Sequence, residues 1–391
     1  MLATLLLVGC GSNGGGDSKT KEALGKLLFN DTDLSLTRKT SCATCHDAEN
    51  AFVDTRFKDA GRDQIVFVHG ALSVGDDDVS LGGRNTPTAM YAKFSPSFDV
   101  ATVRGGQFHD GRAATLKDQA MMPPLDDAEM MMPDKASVVQ RLQEKPKIVE
   151  TFKSLYGANV FDNVDVAYEA MGEAIAKFEK TEEFSPFSSK YDRLVACKTS
   201  GKETSTCLEE GKWSIDEDLG MSLFFSEANT NCVVCHQLQA QSNVPNETFT
   251  DYSYHNIGTP QNLATIARRH ALGQGDAKAT EHGVFKAYPA VGEGNDGAIK
   301  VPTLRNVAVT GPYMHNGVFQ NLKTVLDFYD HMGSGIRPNN PETGLPWGET
   351  DVSATINHKD LSMPALTDRK IQALEAFLRT LTDKRYEHLL P

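Results

Sequence analysis

Two short strings constrain this chain more than any other feature: "SCATCHD" at 41–47 and "NCVVCHQ" at 231–237. Each places two thiols three residues apart with an imidazole directly after the second. That spacing is the attachment pattern of c-type haem, in which the thiols become thioethers to the porphyrin and the imidazole binds iron. The rival chemistry is a zinc site built from two CxxC knuckles. Zinc leaves unexplained why a histidine follows both pairs. Cys42, Cys45 and His46 are therefore read as one haem site, and Cys232, Cys235 and His236 as a second. A chain bearing both must fold around two flat, largely apolar macrocycles.

The two sites share more than the pentapeptide. "GKLLFND" precedes the first and "MSLFFSE" precedes the second. Such self-similarity points to duplication of one haem-binding unit and predicts two cytochrome c-like domains, one haem each. With 391 residues the chain is long enough for both. Its net charge of −13 argues against nucleic acid and anionic membrane surfaces as partners.

The chain opens "MLATLLLVGCGSNGGGDS", a short apolar run ending at a cysteine and followed by a Gly/Ser tract. This reads as a lipoprotein signal with Cys10 as the lipidated residue and the tract as a tether, although no Lys or Arg precedes the run. The expected location is the periplasm, anchored to a membrane. In that oxidising compartment Cys197 and Cys207, which bracket "CKTSGKETSTC", are expected to form a local disulfide.

Helical periodicity dominates the rest, so the expected fold class is mainly α. Val164, Tyr168, Met171, Ile175 and Phe178 line one helical face, and Ile371, Leu374, Phe377, Leu378 and Leu381 another. Only short stretches such as "QIVFV" suggest strands. The expected organisation is a signal and tether over 1–20, a first haem domain over 21–183, a linker over 184–212, and a second haem domain over 213–391. A helix is predicted over 321–332, ended by Gly333 and Gly335. Leu322, Val325, Leu326, Tyr329 and Met332 share its apolar face and His331 points the opposite way, which removes His331 as an iron ligand. Tyr329 and Met332 stay open, with Met314 of "PYMHNG" as a further rival.

Several blocks then occur in a telling order: "LFNDTDLSLTRKTSCATCHDAENAFVD", "RNTPT", "GGQFHDGRAATLKDQA", "YHNIG", "KVPTLRNVAVTGPYMHNG" and "LDFYDHMG". Together they resemble the bacterial diheme cytochrome c peroxidase/MauG superfamily, over about residues 21–382. The resemblance implies a peroxide-reactive first haem, an electron-exchanging second haem with both facing the domain interface, and a calcium ion between the domains. By motif position Asn85, Thr310 and Pro312 are its implied protein ligands, an oxygen set that suits calcium. Distal to the first haem the resemblance implies Gln119 and Glu129, with Pro123 between them. Peroxide cleavage needs a group that carries a proton from one oxygen to the other, and a partly buried carboxylate suits that task.

One position departs from the family. Its Trp between the haems is replaced here by His109, and a neutral imidazole is a poorer electron relay. His69 stands where some relatives carry a histidine that blocks the peroxide iron, and here reads more simply as a loop residue. The Met clusters at 121–122 and 130–132 offer sulfur to copper but are expected to pack or to be oxidised sacrificially.

In the MauG-like branch the position matching Tyr329 is a tyrosine that ligates iron, whereas the other peroxidases carry methionine there. Phenolate favours ferric and more oxidised iron, so the resemblance implies a MauG-like enzyme that reacts with peroxide in the diferric state. The expected partners are hydrogen peroxide, a small redox protein or a protein substrate, and a second copy of the chain in a homodimer. Two alternatives stand beside this reading. One is a cytochrome c peroxidase detoxifying peroxide with electrons from a small cytochrome or copper protein. The other is a non-enzymatic diheme electron carrier.

Overall fold

The computed structural model describes residues 19–56, 70–238, 246–276 and 279–391. Cys10, His69 and the "QIVFV" stretch lie outside them. The described chain is mainly helical, with a single two-stranded antiparallel sheet in which Tyr254–His255 pairs with Ile299–Lys300. No helix among the described residues is long and apolar enough to cross a membrane.

Two helix crossings organise the molecule, and each is fixed by a glycine. Helix Lys21–Phe29 starts at Thr20, whose side chain accepts from the Ala23 N–H, and packs on helix Val164–Glu179. The contact is closest at Gly25, where any Cβ would overlap the Ala174 carbonyl and press on Phe178. Phe29 meets Phe178 edge-on at 5.5 Å. Helix Ile215–Phe224 starts at a capping box between Ser214 and Glu217 and packs on helix Asp368–Arg379. There Gly220 takes the place of Gly25, with the Ala373 carbonyl and Phe377 below it, and Phe224 lies 5.2 Å from Phe377. The same crossing built twice is the structural counterpart of the repeated sequence context.

An apolar core forms around each crossing. The first gathers Leu24, Leu28, Phe29, Met171 and Phe178; the second gathers Leu223, Phe224, Ile371, Leu374 and Phe377. The first also takes in Val309 and Tyr386 from the far end of the chain. Cys197 and Cys207 are joined as a disulfide across helices Lys190–Thr199 and Thr204–Glu210, with Cα atoms 5.7 Å apart.

Two local expectations need correction. The helix expected at 321–332 runs Leu322–Ser334 and stops at Gly335, which adopts φ 76° and donates its N–H to the His331 carbonyl. Gly333 is not a stop signal. It lies inside the helix because a Cβ there would meet the Leu361 carbonyl at 2.5 Å and Met363 at 2.7 Å. Val164 was expected on the buried face but is the first residue of its helix and is exposed.

Candidate functional site: two haem pockets and the layer between them

Each CxxC pair forms one helical turn, Cys42–Cys45 and Cys232–Cys235, so both thiols of a pair present on the same side. The backbone N–H of His46 closes the first turn on the Cys42 carbonyl, and that of His236 closes the second on Cys232. The loop after each turn folds back to orient the imidazole. His46 Nδ1–H donates to the Phe52 carbonyl at 3.0 Å and His236 Nδ1–H donates to Phe249 at 2.8 Å. This leaves both Nε2 atoms free to bind iron, with the outer hydrogen bond fixing tautomer and ring direction. Both turns demand left-handed backbone, at Ala51 (φ 53°) and Phe52 (φ 55°) in one and Phe249 (φ 54°) in the other. Each such non-glycine residue costs roughly 1–2 kcal/mol, a strain typical of functional sites. Phe29 lies 6.5 Å from His46 and Phe224 lies 6.5 Å from His236, so the two sites match in detail.

Burial holds both imidazoles below their usual pKa, which keeps them neutral as iron ligation requires. It also pushes the Cys45 and Cys235 thiols up to about 12, so both are protonated when nothing is bound to them.

On the first site Glu129 is the distinctive group. Burial, then the nearby Asp126, pushes its carboxyl up to about 7, with Arg112 opposing. Its charge is felt at both Cys42 and Cys45, so it lies in the neighbourhood of the first CxxC turn. Gln119 lies on helix Leu116–Ala120, started by a capping box between Thr115 and Asp118. Pro123 opens the next turn, and its carbonyl accepts from Asp126 at 3.2 Å and Met130 at 3.2 Å, which pins the loop carrying Glu129. The neighbouring methionines pack: Met130 and Met132 are buried in the first core, and Met121 lies against Gly172.

The second site opens into a cavity of about 370 Å³ lined by Cys232, Cys235, His236, Tyr329, Met314 and Met363. Tyr329 lines the same cavity as this CxxC turn, and burial, then the Cys235 and Cys232 thiols, raises its pKa above the ordinary phenol value. Met332 is not on that wall. Its methyl packs against Gly258 in a cluster with Phe319, Phe328 and Trp347. His331 stacks on Trp347 at 5.7 Å, away from the cavity.

Sequence reasoning missed three cavity residues: Met363, His255 and Lys300. Met363 belongs to no periodic face, so no pattern flags it. His255 is held by a directed chain. Asn357 Nδ2–H donates to its Nδ1 at 2.9 Å, its Nε2–H donates to Ser253 Oγ at 2.9 Å, and Ser253 donates to Asp251 at 2.6 Å. Lys300 is a buried ammonium, lowered to about 8 by burial, whose Nζ donates to the Gly106 carbonyl at 2.6 Å. A buried cation beside an apolar cavity fits a ligand that is mostly hydrocarbon but carries carboxylates, as haem does.

A polar cluster gathers around Arg84. Arg84 joins Glu281 through two hydrogen bonds of 2.8 and 2.9 Å and Asp110 through a 2.7 Å ion pair. His109 Nε2–H donates to the Asn85 carbonyl at 2.9 Å. Burial and then Arg84 lower the His109 pKa to about 3, so the ring is neutral. Asn85 turns its Nδ2 to the Ala71 carbonyl at 3.0 Å, and Asn85, Thr310 and Pro312 line one cavity. Among the described residues no group of three or more His, Cys, Asp or Glu is placed to hold a metal. An amide, a hydroxyl and a carbonyl are oxygen donors of the kind calcium accepts.

Comparison with known proteins agrees with this geometry. A family model described as di-haem cytochrome c peroxidase matches residues 19–200. The methylamine utilization protein MauG of Paracoccus denitrificans (strain Pd 1222) is 46% identical over 376 residues, which cover 94% of this chain and 90% of that protein. Cytochrome c peroxidase Ccp of Escherichia coli (strain K12) is 30% identical over 305 residues, covering 76% of this chain and 50% of that one. The crystal structure of the diheme peroxidase BthA from Burkholderia thailandensis E264 superposes with a TM-score of 0.76 at 30% identity, covering 95% of this chain and 88% of that one. Two matched CxxCH sites in a duplicated helical frame, and a MauG relative 46% identical over 90% of its own length, place this chain in the bacterial diheme cytochrome c peroxidase/MauG superfamily, in its MauG-like branch, as a c-type haem peroxidase.

Proposed function

We propose that the protein is a MauG-like peroxidase of the periplasm that reduces hydrogen peroxide at the haem on His46. Electrons reach it through the haem on His236, from a small redox protein or from an oxidisable protein substrate. The observation that carries the reading is the asymmetry of the pockets. A carboxyl raised to about 7 lies near one CxxCH turn, and a buried phenol shares the cavity of the other.

Each haem, when bound, supplies an iron that exchanges electrons with peroxide or with the donor. The protein's part is to hold the irons and manage protons. Reduction of one peroxide to two waters consumes two electrons and two protons. With a pKa of about 7, Glu129 accepts a proton from one peroxide oxygen and returns it to the other, so that the departing group is water. Gln119 offers an amide to orient the peroxide, and the Pro123 carbonyl keeps the Glu129 loop in register. His46 and His236 are the proximal ligands. Tyr329 would be a further protein ligand of the haem on His236, and ferric iron there would overcome the burial that otherwise keeps its phenol protonated. Asn85, Thr310 and Pro312 would hold a calcium ion where the two halves meet. The N-terminal signal supports export and a lipid anchor at Cys10.

Met314 favours a second reading, because its thioether also lines the second cavity. Sulfur ligation there would make the protein a cytochrome c peroxidase fed by a donor cytochrome or copper protein. Cyanide binding to the resting ferric holoprotein tests the proposal. One high-spin haem that takes cyanide and one that does not are expected. Two haems that both refuse it would contradict the peroxidase reading and leave an electron carrier.

A further inference from the structure

His109 stands where the family has an oxidisable Trp, and its neutral imidazole donates to a backbone carbonyl, so the electron path between the haems needs another relay. Tyr91 meets the requirements. From the first site, the Phe52 carbonyl holds His46, the Phe52 ring lies 4.1 Å from Phe184, and the Phe184 carbonyl accepts the Tyr91 N–H at 2.8 Å. From the second site, the Phe249 carbonyl holds His236, and Arg305 lies over both the Phe249 ring at 5.3 Å and the Tyr91 ring at 5.5 Å. Tyr91 also lines the second cavity. It is the residue at which contacts from both proximal histidines meet.

The phenol is equipped for proton-coupled oxidation. Tyr91 Oη–H donates at 2.7 Å to Asp383 Oδ2, and its oxygen accepts from the Phe187 N–H at 3.1 Å. Asp383 is fully buried and also accepts from Asn306 Nδ2 at 2.9 Å, Ser188 N at 2.9 Å and Ser188 Oγ at 3.2 Å. Every one of these bonds is donated to the carboxyl, whose oxygens act only as acceptors. The Arg305 guanidinium beside the ring opposes a positively charged tyrosine, so electron loss must be accompanied by proton loss. The residue is also held in left-handed backbone at φ 62°, a conformation rarely kept without a functional reason.

We infer that Tyr91, with Asp383 as its proton acceptor, is a redox-active relay between the two haem sites. Tyr91 gives one electron to the haems after they have been oxidised by hydrogen peroxide, and its phenolic proton moves to Asp383 Oδ2. The neutral tyrosyl is then reduced by an electron from the donor, and the proton returns along the same hydrogen bond. This rests on the peroxidase reading above.

The test is freeze-quench electron paramagnetic resonance of the diferric holoprotein after one equivalent of hydrogen peroxide, with haem absorption followed in parallel. An organic radical is expected whose spectrum narrows when the protein carries ring-deuterated tyrosine, and which is lost in Tyr91→Phe. Asp383→Asn keeps the shape but removes the acceptor, and should slow radical formation and change its solvent deuterium isotope effect. Intact absorption of the resting haems in both variants shows that the sites remain assembled. Haems that respond to peroxide with no tyrosyl, or with the same tyrosyl in Tyr91→Phe, overturn the relay alone. Haems that do not respond at all overturn the peroxidase reading and the relay with it.

Discussion

Glu129 illustrates how surroundings change the chemistry of a single carboxyl. In "LDDAEMMMPDK" it looks like one more solvated acid, and no periodicity singles it out. Only the resemblance pointed to it. The fold supplies the physical reason, by burying the side chain near Asp126 and the first CxxC turn. Glu129→Gln should slow the peroxide reaction by about 10²–10⁴-fold, read by stopped-flow absorption. The ionised form is the proton acceptor, so the wild-type rate should fall as pH drops through about 7, and the variant should lose that inflection. Glu179 is a second buried acid, raised from 4.5 to about 8 by burial alone but for a small opposing effect of Lys180, and its Oε2 has no hydrogen-bond partner. A carboxyl whose folded pKa lies above its unfolded value stabilises most at low pH. That contribution is lost as pH rises from about 4.5 to about 8. Glu179→Gln should flatten the pH dependence of thermal unfolding across that window, by on the order of 2–4 kcal/mol.

At the scale of elements the sequence was most readable where physics is local. The CxxCH turns, the repeated apolar–aromatic context before them and the long amphipathic helices all follow from spacing. The disulfide loop did too, because its two cysteines are only ten residues apart. What was not readable was close approach. Gly25, Gly220 and Gly333 carry no signal beyond being glycine, yet each faces a carbonyl of a distant helix or loop. Gly25→Ala and Gly220→Ala should each destabilise by about 1–3 kcal/mol or more, since the crossing must open to admit a Cβ. Thermal melting of the holoprotein measures this. Equal losses in the two variants are expected from the matched geometry.

Across the whole molecule the halves are joined by buried polar groups drawn from far apart in the chain. Arg305 is fully buried, pairs with both oxygens of Asp192 at 2.6 and 2.8 Å, and contacts Tyr91, Phe187 and Phe249. No local pattern reveals such a joint, because its partners come together only when the fold closes. Removing one member leaves the other charge buried, so Arg305→Ala should cost about 3–5 kcal/mol in denaturant unfolding. It should also perturb both haem environments, since Arg305 contacts Phe249 beside one proximal histidine and Tyr91 on the route to the other.

If the two haem sites do different work on one peroxide, adding one equivalent of hydrogen peroxide to the fully oxidised holoprotein will show it in the visible and near-infrared absorption. A rapid, long-lived change without prior reduction is expected, which slows in Glu129→Gln and becomes short-lived in Tyr329→Met. A protein that stays silent until one haem is reduced would contradict it, and would place sulfur rather than Tyr329 at the second iron.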